Sequence, residues 1–444
     1  MKNSFLTLTI SVSLLVFSTT GCDGMKQVTD TNTENYDTTD IEYYSDWSYT
    51  DKVYDPDIRS LQLYPTGNPM GPAIIDLSDP LPLVLHFDDL RGGYENYYVR
   101  LIHCTYEWEP SDLSPAEYIQ GFDEIMINEI EQSFNTVQPY THYFSSWPND
   151  MSRPILSGNY LMKIYAEGME DEPVCTRRIM VTEQLVRFRP NVKESTIVSE
   201  RRYRQEVDFD VVQAGYQLID PYRDFEVAIL QNFRWDNAIL NLKPVFMKGT
   251  ELVYDFDEEN NFDGLNEFRW IDTKSLRFAA LGTDSLRIIN DEWHIFLTPD
   301  QRRTYDVYRT DPDINGRYLI RNDEFDDHLE GQYQYVHFAL AFDQPVYQSE
   351  FYIIGDFTQW QNLPENRMQW NAETKQYEAT LYLKQGYYNY MYNMISPQHP
   401  DGDQTFIEGN HQQTENIYSI VAYNYDLRGY DRIVGILNTN TFNE

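Results

Sequence analysis

Side chains able to do chemistry are plentiful in this 444-residue chain but scattered. It carries 71 Asp and Glu, 8 His and 3 Cys. A carboxylate pair can act as acid and base only across a fixed gap in a cleft, and with so many acids, adjacency in sequence selects none. The histidines are His86, His103, His142, His294, His328, His337, His399 and His411. They share no ligand spacing, and a lone His on a strand is read as a structural residue. G-x-S-x-G, H-E-x-x-H, Walker and catalytic-Cys patterns are absent, so no enzyme, cofactor or metal is expected. One fragment, Asp311-Pro-Asp313-Ile-Asn315-Gly316, has the oxygen ligands and glycine of half a calcium loop. Its twelfth position is Asn322, which lacks the closing carboxylate, and the fragment is read as an Asn-Gly turn. Trp360 and Trp370 offer ring faces that could stack on a pyranose. Cys104 and Cys175 are either a candidate disulfide in an oxidising compartment or two buried thiols.

The formal net charge of −37 repels phosphate backbones and anionic membrane surfaces, so nucleic acid is not an expected partner. At the N-terminus, Lys2 precedes a short, mostly apolar stretch, residues 5–17. It is too short to span a bilayer and fits an export signal, 1–21. The junction Thr19-Thr20-Gly21-Cys22 resembles a bacterial lipobox, with Thr19 where that pattern prefers Leu. Cys22 is therefore the candidate lipidation site, against ordinary signal cleavage nearby. Any membrane association would come from that lipid or from a protein partner. Residues 22–55 are acidic and rich in Thr and Asn, and read as a flexible tether reaching roughly 30 Å.

The elements that must position these side chains read as strands. Aromatics reach 15%, with 36 Tyr and 23 Phe, which favours strands, and no window carries a sustained helical stripe. The length requires several cores. An all-β, multidomain chain of immunoglobulin-like sandwiches is expected. The first, 56–183, has strands at 58–63, 83–87, 97–106, 159–166 and 175–181. Between the third and fourth runs a long excursion bearing Trp108, Tyr118, Phe122, Tyr140, Tyr143 and Trp147, with room for a short helix in 115–131. A connection that long inside a compact domain is often functional. A middle β domain, 184–342, has strands at 207–212, 224–230, 251–256 and 275–278, closed by a hairpin of 316–321 and 333–342. A third domain, 343–426, has a strand ending at Gly355, a hairpin through Lys384-Gln385-Gly386 and a last strand at 416–423. Residues 427–444 read as a frayed tail.

Within the third domain, FYIIGDFTQW and YEATLYLKQGYYNYMYN resemble the early-set sandwich of family 48 carbohydrate-binding modules. That resemblance implies a sugar contact at Trp360. The second Trp expected after the Tyr-rich strand is missing, since that region reads Met394-Ile-Ser-Pro-Gln-His399.

A wider resemblance rests on Tyr98-Val-Arg-Leu-Ile-His-Cys104 with Trp108, Gly121-Phe122, Ser133-Phe-Asn-Thr136 with Tyr140-Thr-His-Tyr143, and Leu156-Ser-Gly-Asn-Tyr160-Leu. It continues through Arg178-Ile-Met-Val181, Asp313-Ile-Asn-Gly316, 333–340, and Gly409-Asn-His411 with Thr414-Glu-Asn416. Over residues 56–426 these resemble the type IX secretion system plug proteins. The resemblance implies an exported, non-enzymatic β protein that closes the periplasmic end of a giant outer-membrane β-barrel translocon (SprA type). Sealing needs a broad complementary surface rather than a reactive centre, and Tyr and Trp supply contact area at low entropic cost. Tyr140, Tyr143 and Trp147 are therefore candidate partner contacts, against packing on their own domain. The alternative function is a cell-envelope carbohydrate-binding lipoprotein acting through Trp360 and Trp370.

Overall fold

Alternating burial marks strands with one half-exposed face, while central strands such as Gly158–Ala166 and Ile417–Tyr425 are buried on both faces. The computed structural model describes residues 47–441. Cys22, the 1–21 signal and most of the 22–55 tether lie outside that range. In the strand Leu83–Asp89, Leu83, Leu85 and Phe87 are buried while Val84 and His86 face the other side. Its sheet runs in the order Ile58–Pro65, Leu83–Asp89, Thr141–Trp147 and Glu129–Gln132. It packs against a second sheet containing Cys175–Thr182, Gly158–Ala166, Tyr97–Cys104 and Glu124–Met126. Tyr143, Trp147, Tyr160, Ile164 and Ile179 fill the space between them.

The 107–157 excursion is built rather than structureless. Pro115–Tyr118 is one helical turn, its Ser114 backbone N–H and hydroxyl both donating to Glu117. Thr141–Trp147, missed in the sequence, is an inner strand between Leu83–Asp89 and Glu129–Gln132. The end of the expected tether is also ordered. Lys52–Val53 pairs with Cys175–Thr182, and Trp47 and Tyr49 lie on the outer face of that sheet.

The cores divide the rest of the chain differently from the sequence expectation. A second sandwich sets Arg187–Glu194, Arg204–Val212, Glu251–Tyr254 and Phe246–Lys248 against Ile239–Leu242, Phe225–Gln231, Ile417–Tyr425 and Asp431–Asn440. The expected frayed tail is thus mostly an internal strand, with Ile433 and Val434 fully buried on opposite faces. Asp431–Asn440 also runs parallel to Cys175–Thr182 through Thr182 and Ile433, joining the two sandwiches in one ten-stranded sheet. The third sandwich, within 265–416, is inserted into the second. Its sheets are Thr283–Ile289, Glu292–Leu297, Tyr333–Ala341, Gln376–Lys384 and Gln369–Asn371, against Arg269–Asp272, Gly386–Ser396, Tyr318–Ile320, Glu350–Ile354 and His399–Asp403.

Two expected hairpins are absent, and 275–278 is not a strand. Tyr318–Ile320 pairs with Gly386–Ser396, whereas Tyr333–Ala341 pairs with Gln376–Lys384 in the facing sheet. At Lys384-Gln385-Gly386 the chain therefore crosses between sheets. A Cβ at Gly386 would lie 2.4 Å from the Leu319 carbonyl oxygen, so only glycine lets the backbones approach there.

Candidate functional site

The residues singled out from sequence lie apart, and most are consumed by packing. Cys104 and Cys175 are both free and buried. On the intervening strand Gly158–Ala166, Asn159 stands opposite Cys104 and Ile164 opposite Cys175. The thiols are two strands and several residues apart, and they sit in different cores. That separation exceeds what a disulfide can span, so the bridge is excluded in this fold. Burial pushes the Cys104 thiol up to about 12. Tyr140, Tyr143 and Trp147 are buried and offer a partner no surface. Trp147 donates its indole N–H to Ser152 Oγ at 3.0 Å. The Tyr143 hydroxyl donates to the Glu95 carbonyl and accepts from the Glu95 N–H. Tyr143 and Trp147 pack into the core of their own domain because a strand rather than a loop carries them, and Tyr140, just before that strand, packs against the third sandwich.

Trp360 and Trp370 do not form one platform. Trp360 packs with Phe268 in a small core, its ring covered by the Arg234 guanidinium at 4.1 Å. A Cβ on Gly316 would meet that ring at 2.3 Å. Trp370 leans on Tyr377 in the main core of the third sandwich. In the half calcium loop, the Asp313 carboxylate accepts the N–H of Asn315 (2.7 Å) and of Phe268 (2.5 Å). Asp311 is paired with Arg309. With Asn315 and Gly316 both at positive φ, the fragment is a turn.

What the sequence did not reveal is a buried polar junction welding the first sandwich to the third. Its centre is Asp88, 0% exposed, paired with Lys384, 1% exposed, at 2.7 Å. The remaining valences of Asp88 are filled by the Tyr333 hydroxyl (2.7 Å) and His142 Nδ1 (2.6 Å). Burial alone would raise the Asp88 carboxyl; Lys384 and His142 overcome it and hold it at about 2. Lys384 also donates to the His328 carbonyl at 2.6 Å and lies 4.1 Å over the Tyr140 ring. His86 and His328 stack at 4.6 Å, and His86 Nδ1 lies 3.1 Å from His142 Nε2. Around this centre the weld continues. Ser60 meets Tyr333, Tyr318 donates to the Leu61 carbonyl, Tyr140 to the His328 carbonyl, and Asn135 to Glu330. Tyr333 and Lys384 are direct cross-strand partners, which is why both reach one carboxylate. Sequence carried only a faint signal of this: a charged residue, Lys384, ending an apolar strand.

A second buried polar cluster lies inside the third sandwich. Glu408, fully buried, receives Arg269 and Arg303, while Asp300 receives Arg269 and the Tyr390 and Tyr392 hydroxyls. Beside it, burial pushes the Glu267 carboxyl up to about 7 and that of Asp313 up to about 6. A cleft of about 250 Å³ opens where the three sandwiches meet, lined by Arg177, Arg178, Trp235, Arg317, Asp356 and Trp360, among others. Elsewhere, exposed apolar side chains gather on the third sandwich. Phe278 (76%), Leu281 (81%), Ile288 (60%) and Ile289 flank or occupy Thr283–Ile289, which pairs on one side only, with Glu292–Leu297.

Comparison with known proteins places the first sandwich. Residues 58–183 match the family described as "Type 9 secretion system plug protein 1st domain". A crystal structure of a hypothetical protein from Parabacteroides merdae superposes with a TM-score of 0.85 at 30% identity, covering 89% of this chain and 100% of that one. Collagen adhesin from S. aureus aligns at 6% identity with a TM-score of 0.11, too distant to carry an argument. No curated protein matches.

Proposed function

This chain belongs to the type IX secretion system plug protein family, and from that premise we propose that it is a non-enzymatic plug. It binds the periplasmic end of the giant outer-membrane β-barrel translocon (SprA type) and closes it against leakage. The family match over the first sandwich carries this reading. Its physical support is the weld around Asp88 and Lys384, with the sheet shared between sandwiches. A seal must keep its shape against a wide opening, and sandwiches fused through buried polar contacts and a common sheet do so. The partner-facing surface is the outer hairpin of the third sandwich, where Phe278, Leu281, Ile288 and Ile289 border a half-unpaired edge strand. A long apolar edge left open invites aggregation, and here the translocon covers it. The family supports a place in the cell envelope, on the periplasmic side, and the lipobox-like junction ending at Cys22 separately supports lipidation there as an anchor. Among the described residues no helix is long and apolar enough to cross a membrane.

A native pull-down from envelope extract in mild detergent tests the partner, with co-purification of a giant barrel as the expected result. Phe278→Ser with Ile288→Lys should leave the fold intact and reduce that recovery. Deleting the gene should let a large, normally excluded antibiotic enter the cell. Unchanged exclusion together with no barrel in the pull-down would sink the plug reading. Intact-mass measurement of the mature N-terminus decides lipidation.

A further inference from the structure

We propose that His86, His142 and His328 form a binding site for a divalent transition-metal ion of the zinc class, clamping the first sandwich to the third. One coordinating nitrogen from each residue lies within 4.8 Å of the other two. Two come from adjacent strands of the first sandwich, Leu83–Asp89 and Thr141–Trp147. The third comes from the connection leading into Tyr333–Ala341 of the third sandwich. Three imidazoles with no thiolate suit zinc, and also cobalt, nickel and copper.

The decisive feature is how His142 is held. Its Nδ1 faces the Asp88 carboxylate at 2.6 Å, and a carboxylate there accepts the ring N–H. Nε2 is then left with its lone pair directed at His86 Nδ1, 3.1 Å away. A buried carboxylate behind a histidine is how metal sites fix a ligand's tautomer and orientation. Without an ion, His86 Nδ1 must carry the proton of that contact. With one, the proton moves to His86 Nε2, so ligation costs His86 no net charge. Two nitrogens at 3.1 Å already approach the separation of roughly 3.4 Å that tetrahedral bonds of about 2.1 Å require. A rotation of the His328 ring, stacked on His86 and only half-buried, brings in the third. Half-burial of His86 and His328 provides an entry path, and water fills the fourth position. The Lys384 cation bears on His86 and His328, and the Asp88 carboxylate beside it at 2.7 Å offsets that charge.

The test uses the mature chain, stripped with EDTA and titrated with cobalt(II) and zinc(II). Stoichiometric cobalt should give the visible d–d bands of a nitrogen-ligated, four-coordinate site, a result that needs no variant. Zinc should raise Tm in the wild type and in His399→Ala, whose histidine lies outside the cluster. In His86→Ala and His328→Ala that rise should vanish and zinc affinity should fall at least tenfold. Absence of d–d bands at stoichiometric cobalt would overturn the proposal. So would zinc affinity unchanged in both variants, since the three rings would then only pack.

Discussion

Lys384→Met removes one partner of an ion pair that no water reaches. Asp88 is 0% and Lys384 1% exposed, so solvent screening does not discount the effect. Met keeps most of the stem against Tyr140 and Tyr333 but leaves Asp88 with only His142 and Tyr333, and strips the His328 carbonyl of a donor. Breaking a buried pair by removing one charge costs about 3–5 kcal/mol. With a urea slope of about 3 kcal/mol/M, the midpoint of the transition that opens this junction should fall by about 1–1.7 M. Asp88→Asn should cost a similar amount. The double variant removes both charges together and should lose less than the sum, with a coupling of about 2 kcal/mol. Urea denaturation followed by tryptophan fluorescence, on the four members of the cycle, measures this. Single variants losing under about 1 kcal/mol, or strict additivity, would refute the claim that this pair welds the sandwiches.

Other outcomes follow from the same contacts. Glu267 is raised by burial from its ordinary 4.5 to about 7. Between those values the folded state holds more protons than the unfolded one, so its contribution to stability falls as pH rises. Glu267→Gln should therefore flatten the decline in Tm between pH 5 and 7 and gain over the wild type at pH 8. Cys104 and Cys175 should resist a thiol reagent until denaturant is added, then both label without reductant; a mass showing them bridged would contradict the fold. Trp147→Ala should cost about 3–5 kcal/mol, read in the unfolding midpoint, so any loss of partner recovery in that variant reports unfolding rather than a lost contact. Truncation after residue 426 should yield insoluble protein, because it removes an inner strand of the ten-stranded sheet and uncovers the apolar cores on both of its faces.

Legibility from sequence followed locality. Strands with clean alternation or continuous apolar runs, such as Ile58–Pro65, Tyr97–Cys104 and Tyr333–Ala341, are visible to within a few residues, because their signal is carried by neighbours. Pairing is not, because register is decided by distant strands. Lys384-Gln385-Gly386 reads as a hairpin turn, yet glycine serves there for close approach to Leu319 across sheets. Asn290-Asp291 is a true two-residue hairpin turn, both residues at positive φ, but the charged and aromatic strands beside it obscure it. Ile433-Val434-Gly435-Ile436 carries a strand signal inside the stretch expected to fray. The Asp88 junction was illegible because its members lie up to 296 residues apart; each alone is an ordinary surface type. The aromatic excursion misled in the other direction, since rings in an apparent loop suggest a contact surface when their strand is not recognised.

The nesting of the third sandwich inside the second dictates an order of assembly. Phe225–Gln231 needs Ile417–Tyr425 as its neighbour, and the intervening chain is synthesised long before the later strand is. Until then the second sandwich stands open on one side. The ends of the insertion are tied together, the Asn266 side-chain amide donating to the Glu408 carbonyl and the His411 N–H to the Leu265 carbonyl. Once the insertion has folded, it acts as a short staple, and the entropy of closing the long loop is already largely spent. Synthesis from the N-terminus thus delivers the first sandwich, then the insertion, and only with the final strand the shared sheet that locks them. A chain truncated before that strand would expose the unfinished edge and mark itself for proteolysis.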